Sequence, residues 1–217
     1  MKPIFNAYVE NVTLSADIED DVTSFLISLG YAKTLRHCQA VAQEAARLAL
    51  RFGAGQRQAN IAGWLHDVSA IIPNTDRLEV ARALNIPILP EEARFPMLLH
   101  QKISPVMARE IFRINDPEVL NAIGCHTTLK ASASLLDKIL FVADKLRWDQ
   151  DMPSPFENGM RAALEKSLDA AALFYLDYLW EQRESSPGPI HPWAQKARTS
   201  LHQSMRQQDR IRPAAAN

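Results

Sequence analysis

A chain of 217 residues with 47% hydrophobic and 23% charged side chains has an ordinary globular balance, and is long enough to bury a core without disulfides or a structural metal. Its 24 basic and 25 acidic residues leave a formal charge of -1, which excludes a global field that would gather nucleic acid or an anionic membrane. The N-terminus has no apolar h-region and no run nears about 18 uninterrupted apolar residues, so a cytoplasmic protein without a membrane span is expected.

With seven glycines and helical periodicity almost throughout, the expected class is all-α. Asp20 to Leu29 reads as a short opening helix closed by Gly30. From Leu35 the apolar positions are Leu35, Cys38, Val41, Ala42, Ala45, Leu48, Ala49 and Phe52, a 3.6-residue stripe with Gly53 as its C-cap. The next helix spans about Gln56 to Val68. Thr75 or Asp76 caps one reaching Asn85, after which Pro87, Pro90 and Pro96 break the chain into loops.

Ser104-Pro105 and Asp116-Pro117 both read as N-cap and first-turn starts. Ser134 opens a helix carrying Leu135, Leu136, Ile139, Leu140 and Ala143, and one long helix fills Phe156 to Arg183. SSPGP at Ser185 to Pro189 is the linker candidate. Pro192 then starts a polar, peripheral helix, and the tail from Gln207 is expected to be disordered. Cys38 and Cys125 form no CxxC pair and read as small core residues in a reducing compartment.

Of six histidines, His37, His66, His100 and His126 share helix positions with apolar neighbours, whereas His191 and His202 lie in the polar C-terminal region and read as solvated. His66-Asp67 ends the stretch AGWLHD, giving one nitrogen and one oxygen ligand from a single segment. His37 lies next to Cys38 and four residues before Val41, so it can face inward. Asp144 follows Leu140 by four residues and Leu136 by eight, on the apolar face of its helix. A buried carboxylate is costly unless paired or metal-bound. A divalent transition metal suits this mixture, since imidazole favours iron, zinc or manganese and carboxylate keeps the site hard. Singly, each residue also has a plain reading: a hydrogen-bonded core histidine, or Asp144 paired with Lys145 or Arg147.

The order His37, His66-Asp67, Asp144 resembles the HD superfamily of metal-dependent phosphohydrolases. The words RHCQAVAQEAARLALRFGA, AGWLHD, LLH at Leu98 to His100, HTT at His126 to Thr128 and LLDKILFVADK at Leu135 to Lys145 are similar to the YqeK family. That resemblance implies an HD-domain helical bundle with additional N- and C-terminal helices. Its division is residues 1–30 as an N-terminal extension, 31–184 as the phosphohydrolase domain, and 185–217 as linker, peripheral helix and tail. It implies symmetrical hydrolysis of a dinucleoside tetraphosphate, diadenosine tetraphosphate first, to nucleoside diphosphates, typically with iron. His37, His66, Asp67 and Asp144 carry over as metal ligands, and Asp67 also orients the nucleophile. Arg36, His100 and His126 fall where the family meets the phosphates, a protonated histidine assisting the departing diphosphate. One ion is the first reading, with a second through His100 and His126 as the alternative.

The partner expected is a small nucleotide, with neither nucleic acid nor membrane, and a homodimer stays open. The chain also departs from the family. Ala70 stands where relatives carry lysine after HD, so Lys102 or Lys145 would have to supply that charge, Lys102 first. Leu129 replaces the glycine after HTT, and Lys145-Leu146-Arg147-Trp148-Asp149-Gln150 replaces an acidic and Pro-Asx-Arg sequence. These departures keep two rivals in view: hydrolysis of another nucleotide or phosphate ester, and a metal-bound nucleotide sensor without turnover.

Overall fold

A computed structural model describes residues 1–10, 13–15, 17–149, 152–185, 188 and 190–211. It contains helices joined by short turns, with no strand among the described residues. Twelve α-helices are described, and the first, α1 (Asn6–Val9), follows a 3-10 turn at Pro3–Phe5. Then come α2 (Ile18–Ser28), α3 (Ala32–Phe52), α4 (Gln56–Leu65), α5 (Arg77–Ala83), α6 (Pro90–Arg94), α7 (His100–Glu110) and α8 (Pro117–Ile123). The last four are α9 (Leu135–Leu146), α10 (Glu157–Leu164), α11 (Leu168–Glu181) and α12 (Pro192–Ile211). No helix among the described residues is long and apolar enough to cross a membrane.

The centre of the bundle is α3 against α4 and α9. The predicted stripe on α3 is buried at Cys38, Val41, Ala42, Ala45, Leu48 and Ala49, and Gly53 caps it at φ +76. A glycine fixes how closely α4 approaches. A Cβ on Gly63 would lie 2.4 Å from Ala42 Cα and 2.6 Å from Ala42 N, so no other residue fits without parting the helices. Asp116 and Ser134 cap α8 and α9 as expected: Asp116 accepts from the Glu118 and Val119 amides, and Ser134 from that of Asp137.

Several expectations change. Ser104-Pro105 starts no helix: α7 begins at His100 and carries Pro105 inside it. The Ser104 hydroxyl is instead engaged with Ser69, 2.9 Å away, tying α7 to the turn after His66-Asp67. The expected helix from Phe156 to Arg183 is two, because the Ser167 hydroxyl accepts from the Ala170 amide and starts α11 afresh. Pro90 and Pro96 open short helical segments rather than loops. The C-terminal helix is not peripheral, since it buries Ala194, Ala197 and Leu201. It runs past Gln207 to Ile211, and the rest of the expected tail lies outside the described residues. Within the linker candidate, residues 186, 187 and 189 also lie outside them.

His191 is not solvated. It is 3% exposed, with Nε2 donating to Glu92 Oε1 at 3.1 Å and Nδ1 accepting from the Trp193 amide. The reason is Glu92, a fully buried carboxylate that needs donors and takes them from His191, Lys102 and the Leu89 amide. His202, half-buried, pairs with Asp177 at 3.0 Å.

Candidate metal centre

Six helical segments converge on one cluster. His37 comes from the middle of α3, His66 caps the end of α4, and Asp67 starts the 3-10 turn at Val68–Ile71. His100 is the first residue of α7, His126 follows α8, and Asp144 lies on α9. The four rings form a chain of edge contacts, with centroids 5.0 Å apart from His37 to His66 and 4.9 Å from His66 to His126 and from His126 to His100.

Local backbone geometry selects the tautomers. The Nδ1 atoms of His66, His100 and His126 lie 2.7, 2.5 and 2.8 Å from the carbonyls of Gly63, Met97 and Ile123, each three residues earlier. A carbonyl only accepts, so each Nδ1 carries the proton and each Nε2 presents a lone pair. Those of His100 and His126 face each other and a carboxylate oxygen, and that of His66 faces His37. His66 Nε2 is 3.1 Å from His37 Nε2, and His100 Nε2 is 3.0 Å from His126 Nε2. Asp67 Oδ1 sits 3.3 and 3.4 Å from Nε2 of His100 and His126, and is buried without a hydrogen-bond partner among the described residues. Lone pairs and carboxylate oxygens crowded this way repel one another unless a cation lies among them, and imidazole held through Nδ1 to a carbonyl is the usual posture of a metal ligand. The residues fit a divalent metal.

The ligand atoms fall into two groups, His37 with His66 and Asp67, and Asp67 with His100 and His126, each with all its atoms within 4.8 Å of one another. Asp67 belongs to both. Its Oδ2 faces His37 at 3.9 Å and His66 at 3.7 Å, while Oδ1 faces the other pair. Asp144 joins the first group, its Oδ1 lying 3.2 Å from His37 Nε2 and 3.7 Å from His66 Nε2.

Electrostatics keeps the donors in ligand form. Burial pushes His66 and His100 down to about 4, so both are neutral at pH 7. Burial would raise Asp67 and Asp144, but the imidazoles around Asp67, and Lys145 with His37 beside Asp144, hold both well below the usual carboxylate range. His37 differs. Burial opposes its charge, yet the hydrogen bond and charge of Asp144, with Asp67 behind, raise it to about 9.

Some expected phosphate groups lie elsewhere. Lys102 donates to Glu92 at 2.7 Å and to the Pro87 carbonyl at 2.9 Å, and lies over the Trp193 ring. The buried Glu92 carboxylate thus engages the cation expected to replace the missing lysine. Lys145 is buried at the centre, donating to Asp144 Oδ2 at 2.5 Å and the His126 carbonyl at 3.0 Å, and so orients Asp144. Arg36 is exposed, one residue before His37.

Sequence reasoning missed two residues. Thr127 Oγ1 lies 3.0 Å from Nε2 of both His100 and His126, and the word HTT carried that signal. Arg77, 7% exposed, donates to the Ile72 and Met97 carbonyls, so it braces the carbonyl that orients His100; its position on a polar helix gave no sign of this. The departure at Leu129 has a backbone meaning: its φ is +58, a region that glycine adopts freely, and its side chain is fully buried.

Comparison with known proteins agrees with this centre. The model of the HD domain matches residues 34–149, which hold all six residues of the cluster. An uncharacterized protein from the pepC 5′ region of Lactococcus lactis subsp. cremoris is 41% identical over 148 residues, 68% of this chain and 74% of that protein. A symmetrical bis(5′-nucleosyl)-tetraphosphatase of Bacillus subtilis (strain 168) is 27% identical over 137 residues, 63% and 72% of the two chains. A crystal structure of a predicted HD superfamily hydrolase involved in NAD metabolism, from Clostridium acetobutylicum, matches with TM-score 0.78 and 28% identity over 85% of this chain and 97% of that one. With the histidines and the HD pair gathered as a divalent metal requires, and the matching model spanning more than half of the sequence, the chain belongs to the HD domain family and is a phosphohydrolase.

Proposed function

We propose that the protein hydrolyses dinucleoside tetraphosphates symmetrically, diadenosine tetraphosphate first, and that His37, His66, Asp67 and Asp144 on one side and Asp67, His100 and His126 on the other would hold the divalent metal for it. The observation that carries this reading is Asp67 itself, whose two oxygens face two separate imidazole pairs. The sequence alone favoured one ion with His100 and His126 on phosphate; their Nε2 lone pairs, aimed at a buried carboxylate oxygen, support the second position instead. When bound, divalent cations ease deprotonation of water and offset charge on phosphoryl oxygens. Iron is the first candidate from the resemblance to the YqeK family, and the mixed nitrogen and oxygen donors suit it, as they suit manganese.

The chain's own groups divide the work. His66, His100 and His126 hold fixed tautomers through the carbonyls behind them, and Lys145 orients Asp144. Asp67, ionised and half-buried, orients the attacking water. The new bond joins water oxygen to a central phosphorus, the bridging P–O bond breaks, and the departing diphosphate takes a proton. Arg36, exposed beside His37, meets the outer phosphates. The buried free thiols, Cys38 and Cys125, suit a reducing cytoplasm.

The test is elemental analysis of anaerobically purified protein together with a diadenosine tetraphosphate assay. ADP as sole product supports the reading; ATP with AMP would overturn the symmetry. A second reading rests on one observation. With Lys102 committed to Glu92 and alanine at position 70, one phosphate-binding charge of the family is missing. A smaller, less charged nucleotide would need it less, and a substrate panel separates the two.

A further inference from the structure

Beside the metal centre lies a cavity of about 290 Å³ whose walls differ in character from the centre itself. Phe95, Leu98, Leu179 and Ile190 supply apolar and aromatic surface, Tyr175 and Gln182 supply polar atoms, and none of the described lining residues is Asp, Glu, Lys or Arg. Such a cavity cannot neutralise phosphate, but it suits an uncharged, planar, heteroaromatic group with a few hydrogen-bonding edges.

The cavity adjoins the chemistry at two points. Thr127 lines it, and its hydroxyl is 3.0 Å from Nε2 of both His100 and His126. Tyr175 lines it too, and after burial it is the Asp144 carboxylate that raises its phenol. The far wall comes from the C-terminal segment: Gly188, Ile190, His191 and Ala194. That wall is held in place by the His191–Glu92 hydrogen bond, buried at both ends.

Building on the proposed nucleotide hydrolysis, we propose that this cavity receives a nucleobase of the substrate, and that the C-terminal segment walling it sets base preference. Phosphates then lie at the cations while the base reaches past Thr127 to stack between Phe95 and the aliphatic groups of Leu179 and Ile190. Gln182, exposed at the rim, offers its amide to the base edge.

Calorimetric titration of the full-length protein with ADP and, separately, with inorganic pyrophosphate tests this. Native protein is compared with Leu179→Trp and Ile190→Trp, either of which fills the cavity with an indole, and thermal melting identifies which variant folds as native. In that variant ADP should weaken by about tenfold to a hundredfold, the worth of one stacked base, with pyrophosphate affinity and metal content unchanged. Unchanged ADP affinity in a folded variant overturns the proposal. So does a parallel loss of pyrophosphate, or a native protein that binds ADP no more tightly than pyrophosphate. Diadenosine tetraphosphate turnover is read on the same samples. ADP binding that depends on the cavity without any turnover would sink the hydrolase reading and leave the base subsite standing.

Discussion

Asp67 serves two ligand groups at once, so its removal and that of its neighbours should give different metal stoichiometries. His126 belongs only to the group with His100, and His37 only to the group with His66. His126→Ala should therefore halve the metal-to-protein ratio, as should His37→Ala, whereas Asp67→Ala should empty both positions. The magnitude follows from charge. Two unit charges about 4 Å apart attract by about 4 kcal/mol at an effective dielectric of about 20, which is about a thousandfold in affinity for each unit charge on the cation. Loss of an outer-shell partner alone costs about 10–100-fold, so loss of the shared carboxylate must exceed that. Elemental analysis after gel filtration, with melting curves to confirm folding, reads the ratio directly. A folded Asp67→Ala protein with full metal content would refute the shared-carboxylate argument, and a native ratio in His126→Ala would return that histidine to phosphate binding.

Metal uptake near neutral pH should release a proton from His37, because that imidazole is raised to about 9 before a cation arrives. Calorimetry in buffers of different ionisation heat counts it, and apparent affinity should climb with pH until about 9, then level. By linkage, the raised value gives the metal-free protein stability that is full below about 6.5 and lost as pH rises through about 9; a melting temperature that instead rises over that window would contradict it. Gly63→Ala should part α3 from α4, costing about 1–3 kcal/mol and lowering the melting temperature by roughly 2–12 °C, with metal affinity reduced because His37 and His66 ride on those helices. Leu129→Gly relieves about 1–2 kcal/mol of left-handed backbone but deletes a fully buried side chain worth about 2–5 kcal/mol, so chemical denaturation should find it less stable, not more. Glu92→Gln should lose the pH-dependent part of the stability given by the His191–Glu92 pair: the native carboxylate, held below its ordinary range against burial by His191, the Leu89 amide and Lys102, contributes stability above about 4.5 that disappears as acid protonates it.

The helices bearing the clustered histidines and aspartates were legible because burial and chemistry coincide in them. Cys38, Val41 and Ala45 set the face of α3, and His37 sits beside that stripe; Leu136 and Leu140 do the same for Asp144. Caps formed by a free side chain, as at Asp116 and Ser134, were legible too. Ser104 failed because its hydroxyl answers to Ser69, 35 positions away, and no local rule sees that partner. His191 failed for the same reason, its partner Glu92 being 99 positions away and identifiable only once the fold buries it. Thr127 was visible as a letter in HTT, but its distance to two imidazoles is a property of the turn after α8.

The fate of Lys102 connects these observations to catalysis. A lysine two residues past His100 looks in sequence like a substitute for the charge absent at Ala70. In the fold it neutralises Glu92, and Glu92 in turn holds His191 and the start of α12. Lys145 is bound to Asp144, and Arg77 to two carbonyls. Each of these cations is thus engaged within the protein, as is Arg147 by Glu44, whereas Arg36 is exposed beside His37. Under the proposed function, phosphate charge falls to the bound cations and to Arg36. Arg36→Ala should accordingly raise KM for a tetraphosphate about tenfold or more, the worth of one charge-assisted hydrogen bond of about 1.5–3 kcal/mol, and leave metal content unchanged. Lys102→Ala should instead lower the melting temperature, because it leaves the buried Glu92 one donor short. Kinetic loss in Lys102→Ala at unchanged stability would reverse this division between the two residues.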